Sequence, residues 1–204
     1  MPTCIFERLN HHCHRRNYPA KATIVYRDAP SDRLFLLLQG SVSVVQDDEN
    51  GRELIMAYLN PGDIFGESGL FSENAKRNAW IQARSQCVIG EISYHRFERL
   101  YKADPELLPP VLSQQTLRLN QTNQRAKAMA FKDVRGRVLA VLCELANQPD
   151  AAVQQEGIQI KTTRIELGRL VGCSREMVGR VLQELQTEGL IRVHGKKILL
   201  YASS

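Results

Sequence analysis

An α+β fold in three parts is what this sequence predicts: an N-terminal β-roll over residues 1–104, a long helix of dimerising type over 105–132, and a winged helix-turn-helix over 133–204. Three observations predict it. Short β-branched runs broken by Gly and Asx turns fill the first part, an apolar seam at heptad spacing fills the second, and two short amphipathic stretches around a Gly fill the third.

From Tyr18 to Tyr94 the β-like runs are Thr23–Tyr26, Leu34–Leu38, Ser41–Val45, Leu54–Tyr58, Ala79–Ala83 and Cys87–Ile92. Asp48-Glu49-Asn50-Gly51 is the clearest hairpin signal, because Asn and Gly tolerate the positive φ of a primed turn. Many short, evenly spaced strands fit a small barrel or roll. Between the fourth and fifth runs, Pro61-Gly62-Asp63-Ile64-Phe65-Gly66-Glu67-Ser68-Gly69-Leu70-Phe71 is punctuated by glycine and followed by Arg77-Asn78. Glycine lets backbone N–H groups approach an anion, and an Arg offers a two-pronged, charge-assisted grip on phosphate oxygens. Glu67 would repel phosphate, so its natural work is to bind sugar hydroxyls or hold an arginine; a simple Gly-rich turn is the alternative.

From Pro105 to Lys132 the pattern becomes helical, with Pro109 and Pro110 tolerable only in the first turn. Leu108, Leu112, Gln115, Leu119, Thr122, Ala126 and Met129 step by four and three along it, and the simplest partner for that seam is the same helix of a second copy. A single helix lying on the roll is the alternative. Polar Gln115 and Thr122 in the seam would fix register or touch a ligand at the interface.

Ala130–Val134 marks a hinge, with Asp133 a cap for a helix through Arg137–Asn147. In residues 162–182, Leu167, Leu170 and Val171 form one apolar stripe, Gly172 permits a turn, Ser174 caps the next helix, and Val178, Val181 and Leu182 face inward. Arg175, Glu176 and Arg180 then point outward. Arg grips guanine O6 and N7 with two parallel hydrogen bonds and Glu accepts from cytosine N4, so that face offers base-reading chemistry. Two amphipathic helices around a tight turn also occur without DNA. Leu190–Val193, the His194-Gly195-Lys196-Lys197 turn and Ile198–Tyr201 read as a hairpin wing.

Composition bounds the function. The 204 residues, 43% of them apolar, suffice for ordinary cores, and no apolar run approaches the length of a membrane span. With no leader in Met1-Pro2-Thr3-Cys4, a cytoplasmic protein is expected. Cys4, Cys13, Cys87, Cys143 and Cys173 are scattered without a CxxC pair, which argues against a disulfide framework, a zinc ribbon or an iron–sulfur cluster. Net charge is +5, and the bases concentrate in 111–132, which hold no acid, and in 161–180, as suits a polyanionic partner. His11, His12 and His14 beside Cys13 read as exposed rather than metal-binding. Glu67 and Arg77 lack an accompanying nucleophile or general base, so no enzyme is expected. Cys173 beside the recognition helix reads as a buried turn cysteine, with redox sensitivity the alternative.

Together, Gly62-Asp63-x-x-Gly66-Glu67-x-Gly69-Leu70-Phe71, Arg77, the seam helix and Val171-Gly172-Cys173-Ser174-Arg175-Glu176-x-Val178-Gly179-Arg180 closely resemble the cyclic AMP receptor protein family, over nearly the whole chain. The resemblance implies a homodimer whose roll binds cyclic AMP and whose C-terminal domain binds palindromic double-stranded DNA, with RNA polymerase a further partner. It implies that Gly66 and Glu67 meet the ribose 2′-hydroxyl, Arg77 the cyclic phosphate, and Thr122 the adenine, while Arg118 supports Glu67. It implies base reading by Arg175, Glu176 and Arg180, and candidate phosphate contacts from Arg164, Ser174, Arg135, His194 and Lys196. Asn78 and Asn123 stand where the family carries serines toward the phosphate and, from the partner subunit, the adenine; Asn donates and accepts. Some relatives respond to cyclic di-GMP. A regulator of this family responding to another nucleotide, or to none, is therefore the alternative, and a nucleotide-binding module acting on a protein partner comes after it. The loop Ala151–Gln155 resembles the family's polymerase-contacting surface but carries Val153 in place of a polar residue.

Overall fold

The structure is a computed structural model that describes residues 3–70, 72 and 75–201; Phe71 of the glycine-punctuated motif lies outside them, as do the side chain of Cys4 and the residues Met1 and Pro2. The chain clusters into two compact units divided between Thr122 and Asn123. The expected middle part, 105–132, is thereby shared between them.

The first unit holds α1 (Thr3–His11), β1 (His14–Tyr18), β2 (Thr23–Val25), β3 (Arg33–Gln39), β4 (Val42–Asp47), β5 (Glu53–Leu59), β6 (Ile64–Phe65), β7 (Trp80–Ala83), β8 (Cys87–Ser93) and α2 (Tyr94–Ala103). It ends with the first fifteen residues of α3 (Leu108–Phe131). Two four-stranded antiparallel sheets, β1-β8-β3-β6 and β2-β7-β4-β5, make the roll. Between them lies a core of Val25, Phe35, Leu37, Val42, Leu59, Phe65, Ile81 and Ile89. The alternate residues of β3, Leu34 and Leu36, face a second cluster with Ile64, Ile92, Phe97, Leu107 and Val111, so the strand is buried on both faces.

The hairpin after β4 forms as expected, with Asp47 opposite Glu53, but its turn is not a primed one. Gly51 takes φ +74° while Asn50 does not enter the left-handed region. A loop of 48–52 is longer than the two residues a primed turn spans, and Asp48 closes it instead by accepting from Asn50 N and Arg52 N, each at 2.9 Å.

The second unit contains the rest of α3, α4 (Val134–Ala146), β9 (Ala152–Gln154), β10 (Gly157–Lys161), α5 (Arg164–Val171), α6 (Arg175–Thr187), β11 (Ile191–His194) and β12 (Lys197–Tyr201). Asp133 caps α4 by accepting from Gly136 N, as expected, and the helix starts three residues before the expected Arg137. The expected loop 151–155 is instead the first half of a hairpin: β9 pairs with β10, which extends the wing into a sheet of order β11-β12-β10-β9. At the wing tip Gly195 takes φ +60° as the first of two loop residues, the position a type II′ turn reserves for Gly. No helix among the described residues is long and apolar enough to cross a membrane.

Candidate functional site

Two sites emerge, one in each unit. In the first, a cavity of about 250 Å³ opens between the β2-β7-β4-β5 sheet, the turn after β6 and the 118–122 stretch of α3. Gly66, Glu67, Arg77, Asn78, Arg118 and Thr122, all expected at the ligand, line it. Asn123 is exposed and is not among the lining residues. Val25, Val44, Leu59 and Ile81 make the sheet wall apolar; Gln46, Ser68 and Gln121 are polar lining residues to which the sequence reading gives no role, Ser68 although it lies inside the quoted motif.

The turn that carries Gly66 and Glu67 is held from below and from the side. Gln114 of α3 grips the 62–64 segment twice, accepting from Ile64 N and donating to the Gly62 carbonyl, both at 2.8 Å. Gly66 then adopts φ +80° and opens a short 3-10 turn over Glu67–Gly69. Its carbonyl accepts from Arg77 Nη1 at 2.8 Å and from the Tyr94 hydroxyl. A Cβ at Gly66 would stand 2.8 Å from Arg77 Nη1 and from the Phe35 ring, so only glycine fits.

Arg77 departs from the expected geometry. It is 5% exposed, stacked near the Phe35 and Tyr94 rings, and its two Nη ends are not free to form a fork toward the cavity. Nη1 donates to Gly66 O and, at 3.3 Å, to Tyr94 Oη; Nη2 donates to Arg33 O at 2.9 Å and lies 3.6 Å from Asp32 Oδ1. The side chain is first a cationic tie between the Gly66 turn and the roll. The motif reading identified the charge correctly but could not place its donors, which depend on carbonyls of β3 and of the turn.

Glu67 is the opposite case. One carboxylate oxygen, Oε2, is buried without a hydrogen-bond partner and stands 3.7 Å from Arg118 Nη1. Arg118 donates to the Ile64 carbonyl and approaches Asp63 at 3.8 Å, which holds the cation beside Glu67 as expected. A buried acceptor without a donor costs about 1–3 kcal/mol, and a ligand hydroxyl would recover it. Thr122 donates its hydroxyl to Arg118 O at 2.9 Å and so presents acceptor lone pairs outward.

The second site is built by local capping. Thr163 Oγ1 accepts from Glu166 N to start α5, Gly172 at φ +73° ends it, and Ser174 Oγ accepts from Met177 N to start α6. A Cβ at Gly168 would lie 2.7 Å from Cys173 O, so glycine there lets the turn fold back closely on α5. Leu167, Leu170, Val171, Val178, Leu182 and Leu185 are buried as the stripes require. Arg164, Arg175, Glu176 and Arg180 are exposed and line one open groove. Arg164 lies along Gly179, 3.7 Å from the position of an added Cβ, so two elements supply the basic face. The Glu176 carboxyl is held below its ordinary value, first by its own backbone N–H and then by the Ser174 hydroxyl, which keeps it an acceptor. His194 and Lys196 are exposed at the wing tip. Ser174 is committed to its cap, and Arg135 pairs with Glu188, so these two expected phosphate contacts have other partners here.

Burial raises the Cys173 thiol, with Arg137 opposing it, in keeping with a half-buried turn cysteine. No group of three or more His, Cys, Asp and Glu among the described residues is placed to hold a metal ion.

Comparison with known proteins agrees with this division. Residues 15–104 match the cyclic nucleotide-binding domain family and residues 136–201 the Crp-like helix-turn-helix domain family. The cAMP-activated global transcriptional regulator Vfr of Pseudomonas aeruginosa is 46% identical over 97% of this chain and 94% of its own length. The cAMP-activated global transcriptional regulator CRP of Salmonella typhimurium is 44% identical over 94% of this chain and 91% of its own. Among solved structures, the c-di-GMP responsive global regulator CLP of Xanthomonas campestris matches with a TM-score of 0.90 and 38% identity, covering 98% of this chain and 99% of that one.

Proposed function

This chain belongs to the cyclic AMP receptor protein family of transcription regulators, and on that footing we propose that it is a homodimer that binds cyclic AMP in the roll cavity and palindromic operator DNA through α6. The observation that carries the ligand is Glu67 Oε2, buried and without a hydrogen-bond partner on the wall of a cavity that Arg77 also lines. A ribose hydroxyl supplies the missing donor, and the buried cation offsets the charge of a phosphodiester. The finer assignments follow: Gly66 and Glu67 at the ribose, Arg77 and Asn78 at the phosphate, Thr122 at the base with Asn123 from the second copy, and Arg118 behind Glu67.

Leu112, Leu119 and Met129 are exposed on one stripe of α3, at 50%, 61% and 47%, and a second copy of the helix covers them. That helix carries Arg118 and Thr122 at the cavity and runs unbroken to Phe131, so order imposed at Thr122 is passed along it toward Asp133. Ligand thereby selects the dimer arrangement in which two α6 helices meet successive major grooves. Arg175, Glu176 and Arg180 read base edges there, and Arg164, His194, Lys196, Ser174 and Arg135 lie along the backbone. The protein acts by binding and not by catalysis, in the cytoplasm, with RNA polymerase a further partner; in the loop 151–155 that resembles the family's polymerase-contacting surface, Val153 stands in place of a polar residue and is 86% exposed. Titrating operator DNA into the protein with and without cyclic AMP tests this reading: affinity is expected to rise at least tenfold with ligand, and unchanged affinity refutes it.

A second reading, cyclic di-GMP as the ligand, is favoured by one observation, the likeness to the c-di-GMP responsive CLP. Calorimetry with cyclic AMP, cyclic GMP and cyclic di-GMP in turn separates the two.

A further inference from the structure

Arg77 leaves an anion at its end of the cavity short of donors. Of the five guanidinium N–H groups, those on Nη1 and Nη2 are directed at Gly66 O, Tyr94 Oη, Arg33 O and Asp32, which leaves Nε as the donor without a partner among the described residues. One N–H and one buried positive charge do not saturate the two exposed oxygens of a phosphodiester, each of which accepts more than one hydrogen bond. Neutral donors must complete the cradle.

Gln46 is placed to be one. It sits on β4 beside the phosphate-side residues, and it is a polar side chain on a wall otherwise built from Val25, Val44, Leu59 and Ile81. Its Nε2 donates to the Asn78 carbonyl at 3.2 Å. That single contact does two things. Since the carbonyl only accepts, it orients the carboxamide with nitrogen toward Asn78; and it fixes the backbone of the residue that follows Arg77. An amide nitrogen carries two hydrogens, so a second donor remains after the Asn78 bond is made. Asn78 itself lines the same cavity, together with Gln46 and the buried Arg77.

We propose that Gln46 is a further ligand-contacting residue, donating the second Nε2 hydrogen to a phosphate oxygen of the bound cyclic nucleotide while the first holds Asn78 in place. This rests on the reading that the cavity binds a cyclic nucleotide through its phosphate at Arg77. The chemistry selects for an anionic, acceptor-only group at this end, because a buried cation and N–H donors favour negative charge over a neutral hydroxyl. It also gives Asn78 a supporting partner at a position where the family carries serine.

Two substitutions in the full-length protein test it. Gln46→Met keeps the length and volume of the side chain and removes the donor; Gln46→Glu removes the donor and adds a like charge to the phosphate. Calorimetry with cyclic AMP, and displacement of bound cyclic AMP by adenosine, read the phosphate-bearing and phosphate-free ligand separately. Cyclic AMP is expected to bind about tenfold more weakly to Gln46→Met and about a hundredfold more weakly to Gln46→Glu, with adenosine affinity unchanged. Wild-type affinity for cyclic AMP in Gln46→Met, or equal losses for cyclic AMP and adenosine, overturns the assignment and leaves the cavity reading standing. If the unsubstituted protein itself binds no cyclic nucleotide, the cavity reading is what fails.

Discussion

Gly66 and Gly62 form a natural pair of perturbations, because both have positive φ but only one is crowded. Gly62 takes φ +98° with nothing within 4 Å of an added Cβ, whereas Gly66 takes φ +80° with Arg77 Nη1 and Phe35 Cδ2 at 2.8 Å and Arg33 O at 3.1 Å. Alanine at either position carries the left-handed penalty of about 1–2 kcal/mol. At Gly66 the neighbours cannot simply step aside: Arg77 and Phe35 are each 5% exposed and Arg33 O belongs to β3. The Arg77–Gly66 bond must break or lengthen, and a hydrogen bond from a charged donor is worth about 1.5–3 kcal/mol. Gly66→Ala is therefore expected to lose about 2.5–5 kcal/mol of stability against about 1–2 kcal/mol for Gly62→Ala, measured as denaturation midpoints at constant m-value. Because the same clash displaces the buried cation from the cavity, cyclic AMP affinity should fall more than tenfold in the first variant and less than about threefold in the second. Equal stability losses in the two variants would show that the crowding around Arg77 does no work.

Three further outcomes are expected. Arg175→Ala and Arg180→Ala should each lose about 1–3 kcal/mol of discrimination at one base pair, while Lys196→Ala weakens all sequences alike and flattens the salt dependence; equal effects on operator and random DNA contradict the roles. Leu119→Glu, which places a charge on a 61% exposed seam position, should give a monomer by sedimentation with an unchanged fold by circular dichroism; a persistent dimer refutes the seam. Tyr18 is pushed up to about 12 from 10.0, by burial first and then by the hydrogen bond it donates to Glu91. Its raised folded-state value means that the unfolded chain releases the proton first, so the stability it contributes is complete below pH 10 and is lost between about pH 10 and 12. Tyr18→Phe should flatten that part of the stability curve, and a curve identical to the wild type counts against the Glu91 bond.

Much was legible where the determinant is local. Ser174 capping α6, Gly172 ending α5, Asp133 capping α4 and Gly195 turning the wing each use a side chain or a φ within a few residues of the group they satisfy, and all four appear as read. The stripe at Leu167, Leu170, Val178 and Leu182 was likewise set by spacing alone. Among the elements that the sequence reading did not include, β1 and α2 were missed for different reasons. β1, His-Arg-Arg-Asn-Tyr, has no hydrophobic alternation and exists because the edge of β8 is there to pair with it. α2 lies just beyond the stretch read as β-like, although Ser93 caps it and Tyr94, Phe97 and Tyr101 give a helical stripe that locks Phe97 into the core.

The amino-acid order by itself determined which groups this protein brings to its partners: a carboxylate and an arginine near glycines, an apolar seam, and a basic face after a capped turn. Tertiary structure alone decided how those groups are spent. Arg77 turns its fork onto Gly66 and Arg33 carbonyls, Gln114 pins the 62–64 turn, Glu67 is left with an oxygen that accepts no hydrogen bond, and Gln46 arrives beside Asn78 because β4 pairs with β7. The physical reason is range. Caps and turns are satisfied within a few residues, so sequence encodes them directly, whereas a buried charge or amide takes whichever carbonyl the folded chain delivers, and here those carbonyls come from 11 to 52 residues away.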